Sequence, residues 1–279
     1  MNRTPPSRDN NQDAAHNAAA SGKSHTATFS PAVEDLFYYY QPILGNDGQP
    51  VIYEALVRWL NPEGIILPPV HFLQGLLSGD DDTVNAFTAH TIDSAAAALT
   101  DNDHIYWLSI NLSPAQICRH ETLAHLASLP HALRRRLMIE ITEDKLPERE
   151  TYSLWLGETA ALGIDLVLDD VKPDDLPQRL LKHLPVEGVK LDRSLLPLLT
   201  GQNPDRELVE TVRSLRRLKL SVTAEGVEHV RQLEPLTALG CNRFQGFGLG
   251  MPLPGLHRLP QMPAHTVEQP RISLTATAH

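Results

Sequence analysis

Strand-length apolar runs recur along this chain, and most are separated by a stretch with helical spacing. That alternation confines the fold to the α/β class with a largely parallel sheet. Eight runs qualify: Tyr39–Leu44, Val51–Arg58, Ile105–Leu112, Leu137–Thr142, Asp165–Asp169, Gly188–Leu191, Ser221–Ala224 and Arg243–Gly246. The first two are joined by Gly45-Asn46-Asp47-Gly48, a hairpin signal, so they pair antiparallel before the alternation begins. Apolar spacing predicts helices at about 69–99, 114–131, 147–162, 175–183, 205–217 and 229–238. In 205–217, Leu208, Val209, Val212 and Leu215 make one stripe, with Asp205 and Glu207 near its start and Arg213, Arg216 and Arg217 near its end, which suits the helix dipole. Eight strands with intervening helices favour a closed barrel over an open sheet.

The 279 residues suffice for one such barrel, and 42% hydrophobic with 21% charged residues is ordinary globular composition. Residues 1–33 are polar, with almost no large apolar side chain, and read as a disordered N-terminal tail. Residues 34–260 are the folded domain, and 261–279, with scattered Pro and no sustained period, read as a flexible C-terminal tail. No signal-peptide core and no stretch near the ~20 apolar residues of a spanning helix is present. Cys118 and Cys241 lie far apart without a CxxC spacing, so the chain is expected in a reducing cytoplasm. A net charge of −10 argues against a nucleic-acid polymer or an anionic membrane as partner, and leaves a small anionic ligand open.

Barrels of this kind place reacting groups at the C-terminal ends of their strands, where a buried strand should otherwise carry no polar residue. Glu54, Asn111, Glu140, Asp169, Asp170, Lys190, Glu225 and Gln245 all fall at or near such ends. Five carboxylates and an amide oxygen are hard ligands suited to Mg2+ or Mn2+, and the 13 His residues offer no zinc-type spacing such as HExxH. So many like charges repel unless cations offset them. Asp169 and Asp170, adjacent where the chain leaves its strand, can reach two ions, an arrangement suited to in-line attack on a phosphate ester, with Lys190 to orient water or neutralise charge. Taken singly, an Asp-Asp pair more often caps a helix, and Asn111 before Leu-Ser-Pro can simply hold a turn. Glu140 and Glu225, set among apolar or small residues, are costly to bury without a partner. Gly246, Gly248 and Gly250 suggest a phosphate loop only weakly, because Pro252 and Pro254 stand where a helix should begin.

These residues sit in strings that resemble the EAL-domain family of cyclic di-GMP phosphodiesterases: YYYQPI at 38–43, EALVRW at 54–59, INLSP at 110–114, EITE at 140–143, LDD at 168–170, KLDRS at 190–194, AEGVE at 224–228 and QGFGLGMPLP at 245–254. The resemblance implies a TIM-like (β/α)8 barrel with the first strand antiparallel. It also implies hydrolysis of cyclic di-GMP to linear pGpG with two ions, Mg2+ or Mn2+. Carried over by position, Glu54, Asn111, Glu140 and Asp169 hold the first ion, with Asp169, Asp170 and Glu225 around the second. Lys190 and Glu225 position and activate water, and Gln245 supports the water network. Gln41, Leu56 and Arg58 match positions that cradle the dinucleotide, Arg58 by its fork geometry. The resemblance leaves room for a homodimer or a protein partner.

The resemblance breaks after Asp170. Where the family reads FGTGYSSL, this chain reads VKPDDLPQ from Val171 to Gln178. Two glycines become Lys172 and Asp174, and Pro173 and Pro177 restrict the loop. Glu143, which anchors that loop in the family, lacks its usual hydroxyl partners. The stretch 69–77, PVHFLQGLL, is a weakened version of the family's PxxFIPLAE. Two readings follow: a phosphodiesterase, attenuated by its loop, or a catalytically weak or inactive receptor for cyclic di-GMP or a protein partner.

Overall fold

A computed structural model describes residues 31–142, 149–171, 184–201 and 203–256. Residues 1–30 of the expected N-terminal tail, the tail 261–279, the expected helix 175–183, Glu143 and the loop residues 172–178 lie outside the described residues. All eight anticipated strands form, within a few residues of their expected ends. They are β1 (Leu36–Gly45), β2 (Pro50–Leu60), β4 (Leu108–Leu112), β5 (Leu137–Ile141), β6 (Asp165–Val171), β7 (Gly188–Leu191), β8 (Ser221–Ala224) and β9 (Arg243–Phe244). Two short strands were not anticipated: β3 (Ile66–Leu67) pairs antiparallel with the end of β2, and β10 (Leu253–Pro254) pairs antiparallel with β1.

β1 pairs antiparallel with β2 through the 45–48 turn, where Gly48 takes φ 73° and donates its N–H to Gly45 O at 3.0 Å. From β2 the pairing runs parallel through β4, β5, β6, β7, β8 and β9. β9 then meets β1 antiparallel and closes the barrel. The fold is therefore the expected TIM-like (β/α)8 barrel with its first strand antiparallel.

Helix boundaries depart from the sequence expectation where local capping overrides apolar spacing. The span 69–99 is a 3-10 turn (Pro69–His71), a short helix (Leu73–Leu77) and a long helix (Asp81–Asp101). The break comes at Asp80, whose extended backbone lets its carboxylate accept the Thr83 N–H at 2.9 Å and start the long helix afresh. The span 114–131 likewise divides into Pro114–Ile117, His120–Ser128 and His131–Arg134, with Arg119 extended between the first two. A helix at Leu196–Thr200 was not anticipated. Helix Arg206–Arg217 forms as expected, capped by Asp205 on Leu208 N at 2.9 Å, and buries Leu208, Val209, Val212 and Leu215.

Strand periodicity builds the barrel interior in two layers. Ile43, Ile52, Met138 and Val167 pack together as an apolar floor. Two residues toward the mouth along the same strands stand Gln41, Glu54, Glu140 and Asp169, all buried. Outward-facing residues such as Ile110, Ile139, Leu166, Val189 and Val222 pack in the large cluster that also holds Leu156, Val212 and Leu215 of the surrounding helices. At the opposite end of the barrel Glu187 takes both Arg243 guanidinium nitrogens, at 2.9 and 3.0 Å, and accepts from Ser221 Oγ at 2.9 Å. Gly188 leaves room for that serine, because a Cβ there would collide with Ser221 Oγ. Among the described residues no helix is long and apolar enough to cross a membrane, and Cys118 and Cys241 are both free.

Candidate active site

At the mouth of the barrel the Lys190 ammonium, carried by β7 and 2% exposed, stands among four carboxylates, three on β2, β5 and β6 and one just after β8. Its Nζ lies 2.7 Å from Glu140 Oε2, 2.7 Å from Glu225 Oε1, 3.0 Å from Asp169 Oδ1 and 3.4 Å from Glu54 Oε2. Glu54 also accepts from Asn111 Nδ2 at 2.7 Å and from Gln245 Nε2 at 2.5 Å. Gln245 Nε2 reaches Gln41 Oε1 at 3.3 Å, and Gln41 Nε2 donates to Gly250 O at 2.9 Å, which ties β1 to the chain after β9. Glu140 Oε1 and Gln245 Oε1 are buried without a hydrogen-bond partner among the described residues.

Asp170 joins the cluster through a local irregularity. Neighbouring residues on a strand normally face opposite sides of the sheet. Here the register between β6 and β7 shifts between Leu168 and Val171, and Asp170 takes φ 52°, a left-handed conformation that Asp tolerates better than most side chains. As a result Asp169, Asp170 and Glu225 each bring a carboxylate oxygen within 4.8 Å of the others. This is a hard-oxygen donor set, and Glu140 Oε1 beside it is a buried acceptor that no donor among the described residues satisfies. Both features fit divalent cations of the Mg2+ or Mn2+ class.

Electrostatics sort these groups. Burial pushes the Glu140 carboxyl well above its ordinary range, and the charges of Glu54 and Asp169 add to that despite Lys190. Burial likewise lifts Glu225 to about 7 against the pull of Lys190. Asp170 is raised by burial and by Asp169. Burial opposes ionisation of Glu54 as well, but the ammonium and the hydrogen bonds from Gln245 and Asn111 outweigh it and hold this carboxyl below its ordinary value. Burial works against the Lys190 charge too, and the surrounding carboxylates outweigh it and keep the ammonium protonated.

A pH dependence follows. Because the folded chain holds the Glu225 proton up to about 7 and the unfolded chain releases it near 4.5, unfolding releases a proton between those values. Stability of the metal-free chain therefore falls as pH rises through that window, by up to about 3 kcal/mol from this group. Calorimetry in chelator should give a lower Tm at pH 8 than at pH 5.5. A Tm that is flat or rises over that interval would contradict the assignment.

Beside the cluster a cavity of about 550 Å3 is lined by Leu56, Asn111 and Asp170 together with Pro69, Leu73 and Leu77. The 69–77 stretch thus walls the site. Asp192, just past β7, also lines the cavity and caps the following turn by accepting Ser194 N–H at 2.8 Å. Sequence reasoning did not single out Asp192, although it lies within the KLDRS string. On β2, Arg58 lies two residues beyond Leu56, its guanidinium 5.4 Å from the centre of the Tyr39 ring and its NH1 donating to Val57 O at 2.8 Å. The structure thus gathers Gln41, Glu54, Asn111, Glu140, Asp169, Asp170, Lys190, Glu225 and Gln245 at one mouth, with Leu56 on the adjoining cavity wall.

The family model described as EAL domain matches residues 28–252. The chain belongs to the EAL domain family. This EAL domain is 31% identical over 229 residues to the bifunctional diguanylate cyclase/cyclic di-GMP phosphodiesterase MucR of Pseudomonas aeruginosa, a match covering 78% of this chain and 33% of that protein. It is 29% identical over 235 residues to the cyclic di-GMP phosphodiesterase NbdA of the same species, covering 79% of this chain and 29% of NbdA. The chain spans about a third or less of the length of these curated relatives. Among solved structures, the PaMucR phosphodiesterase in complex with c-di-GMP is 27% identical, with a TM-score of 0.65 over 81% of this chain and 95% of that one. The FimX EAL domain of P. aeruginosa bound to c-di-GMP, at 21% identity and a TM-score of 0.67 over 80% of this chain and 92% of that one, shares the fold.

Proposed function

We propose that this EAL domain, over residues 34–260, hydrolyses one phosphodiester of cyclic di-GMP to linear pGpG using two divalent ions, Mg2+ or Mn2+. The observation that carries the reading is the barrel mouth itself, where four carboxylates surround one ammonium, Asp170 joins Asp169 and Glu225, and the buried Glu140 Oε1 has no donor among the described residues. The names of MucR and NbdA supply the substrate. Glu54, Asn111, Glu140 and Asp169 would hold one ion, and Asp169, Asp170 and Glu225 the other. When bound, the ions offset the carboxylate charge and polarise the phosphodiester. Glu225 would accept the proton of the attacking water, and Lys190, 2.7 Å away, would orient that water and steady the developing negative charge. Gln245 and Gln41 hold Glu54 in place, while Leu56 and Arg58 face the dinucleotide. Two free cysteines support a cytoplasmic setting.

One observation favours a second reading, a receptor that binds cyclic di-GMP with little turnover. Directly after Val171 in sequence, Lys172, Pro173, Asp174 and Pro177 stand where the EAL family resemblance calls for a glycine-rich stretch. Both readings require Arg58 to meet the ligand, a charged contact of the kind that costs about 2 kcal/mol or more to truncate. Arg58→Ala should therefore weaken cyclic di-GMP binding by more than about tenfold in calorimetric titration with Ca2+ present. Unchanged affinity would count against both.

A further inference from the structure

Lys190 is surrounded in a way that a hydrogen-bonding role does not account for. An ammonium has three N–H donors, yet four carboxylates lie within 3.4 Å of Nζ. They come from β2, β5, β6 and the chain just after β8, so the ammonium occupies the centre of a shell of oxygens, as a coordinated ion does. Every ion pair those carboxylates make among the described residues is with Lys190. Glu140 Oε1 remains buried and, among the described residues, partnerless even so, and four carboxyl groups share the one lysine. The lysine stem is flexible and rooted on a neighbouring strand, so its charge is movable within the site.

We propose that Lys190 is a resident counter-cation that a divalent ion displaces: in the metal-free chain it holds together the carboxylates of β2, β5, β6 and the chain just after β8, and on ion binding its ammonium gives up Glu54, Glu140 and Asp169. This rests on the reading of the cluster as a divalent-cation site. It assigns Lys190 a positioning role over the ligand set, separate from any part in turnover, and it means that the site is preformed but self-competed.

The test uses the whole chain and no nucleotide. Thermal melts in chelator and in saturating Ca2+, with calorimetric Ca2+ titrations, would compare wild type, Lys190→Met and the double variant Lys190→Met/Glu140→Gln. Lys190→Met should lower Tm in chelator by about 10 °C, since it leaves buried carboxylates unpaired. Ca2+ should restore most of that loss, and Lys190→Met should bind Ca2+ at least about tenfold more tightly than wild type. The double variant, which replaces the most deeply buried carboxyl with an amide, should regain part of the Tm without Ca2+. A Lys190→Met chain that folds only with Ca2+ would likewise support the proposal. An unchanged Tm in chelator, a loss that Ca2+ does not repair, or unchanged or weaker Ca2+ binding by Lys190→Met would overturn it. A chain that shows the rescue but cleaves no cyclic di-GMP keeps this inference and loses the proposed function.

Discussion

Glu54→Ala is expected to lower metal-dependent cyclic di-GMP hydrolysis by more than about 100-fold while the barrel stays folded. Glu54 is the point where three donors converge: Asn111 Nδ2 at 2.7 Å, Gln245 Nε2 at 2.5 Å and the Lys190 ammonium at 3.4 Å. Removing partners that merely orient metal ligands costs about 10–100-fold in affinity or activity, and loss of a proposed ligand should exceed that. The variant frees two amide donors, which is unfavourable, but it also removes one of several crowded negative charges, so the net effect on stability is small. The measurement is the initial rate of pGpG release in Mn2+, with circular dichroism to verify the fold. Undiminished turnover would remove Glu54 from the site.

Gly248→Ala should cost stability rather than chemistry first, lowering Tm by about 5–10 °C. The chain after β9 lies directly on the segment after β8: Val227 N–H donates to Gln245 O at 3.0 Å, and Gly248 N–H donates to Val227 O at 3.0 Å. A Cβ at Gly248 would fall inside the contact distance of the Glu228 carbonyl, and one at Gly246 would strike the Val227 backbone. Backbone cannot step aside as a flexible side chain can. Displacement here would also move Glu225 and Gln245, which flank the contact. A thermal melt suffices to check this, and an unchanged Tm would show that the two segments separate more easily than their hydrogen bonds imply.

Those glycines show where the sequence was legible and where it was not. As a pattern, GxGxG offered only a weak phosphate loop. Their use is close backbone approach, which depends on a partner segment some twenty residues away in sequence and leaves no local signature. Glu140 and Lys190 were legible for the opposite reason, because a charge in the middle of an apolar strand contradicts its surroundings. Asp170 was found through the Asp169-Asp170 pair, but the register shift that brings it beside Glu225 was not visible, since bulges are set by pairing between strands. The eight strands followed from apolar runs. The helix 69–99 did not survive, because its spacing continued across Ser78-Gly79-Asp80 while the Asp80 cap began a new helix. The two-residue strands β3 and β10 were too short to show any period.

The central claim is that this barrel mouth turns over a cyclic dinucleotide with divalent ions. The most direct measurement is to incubate the purified chain with cyclic di-GMP in Mg2+, in Mn2+ and in chelator, and to separate the products by chromatography. The account predicts linear pGpG with either ion and none in chelator. Cyclic di-GMP that binds tightly yet returns intact from both metals would contradict it and establish a receptor in its place.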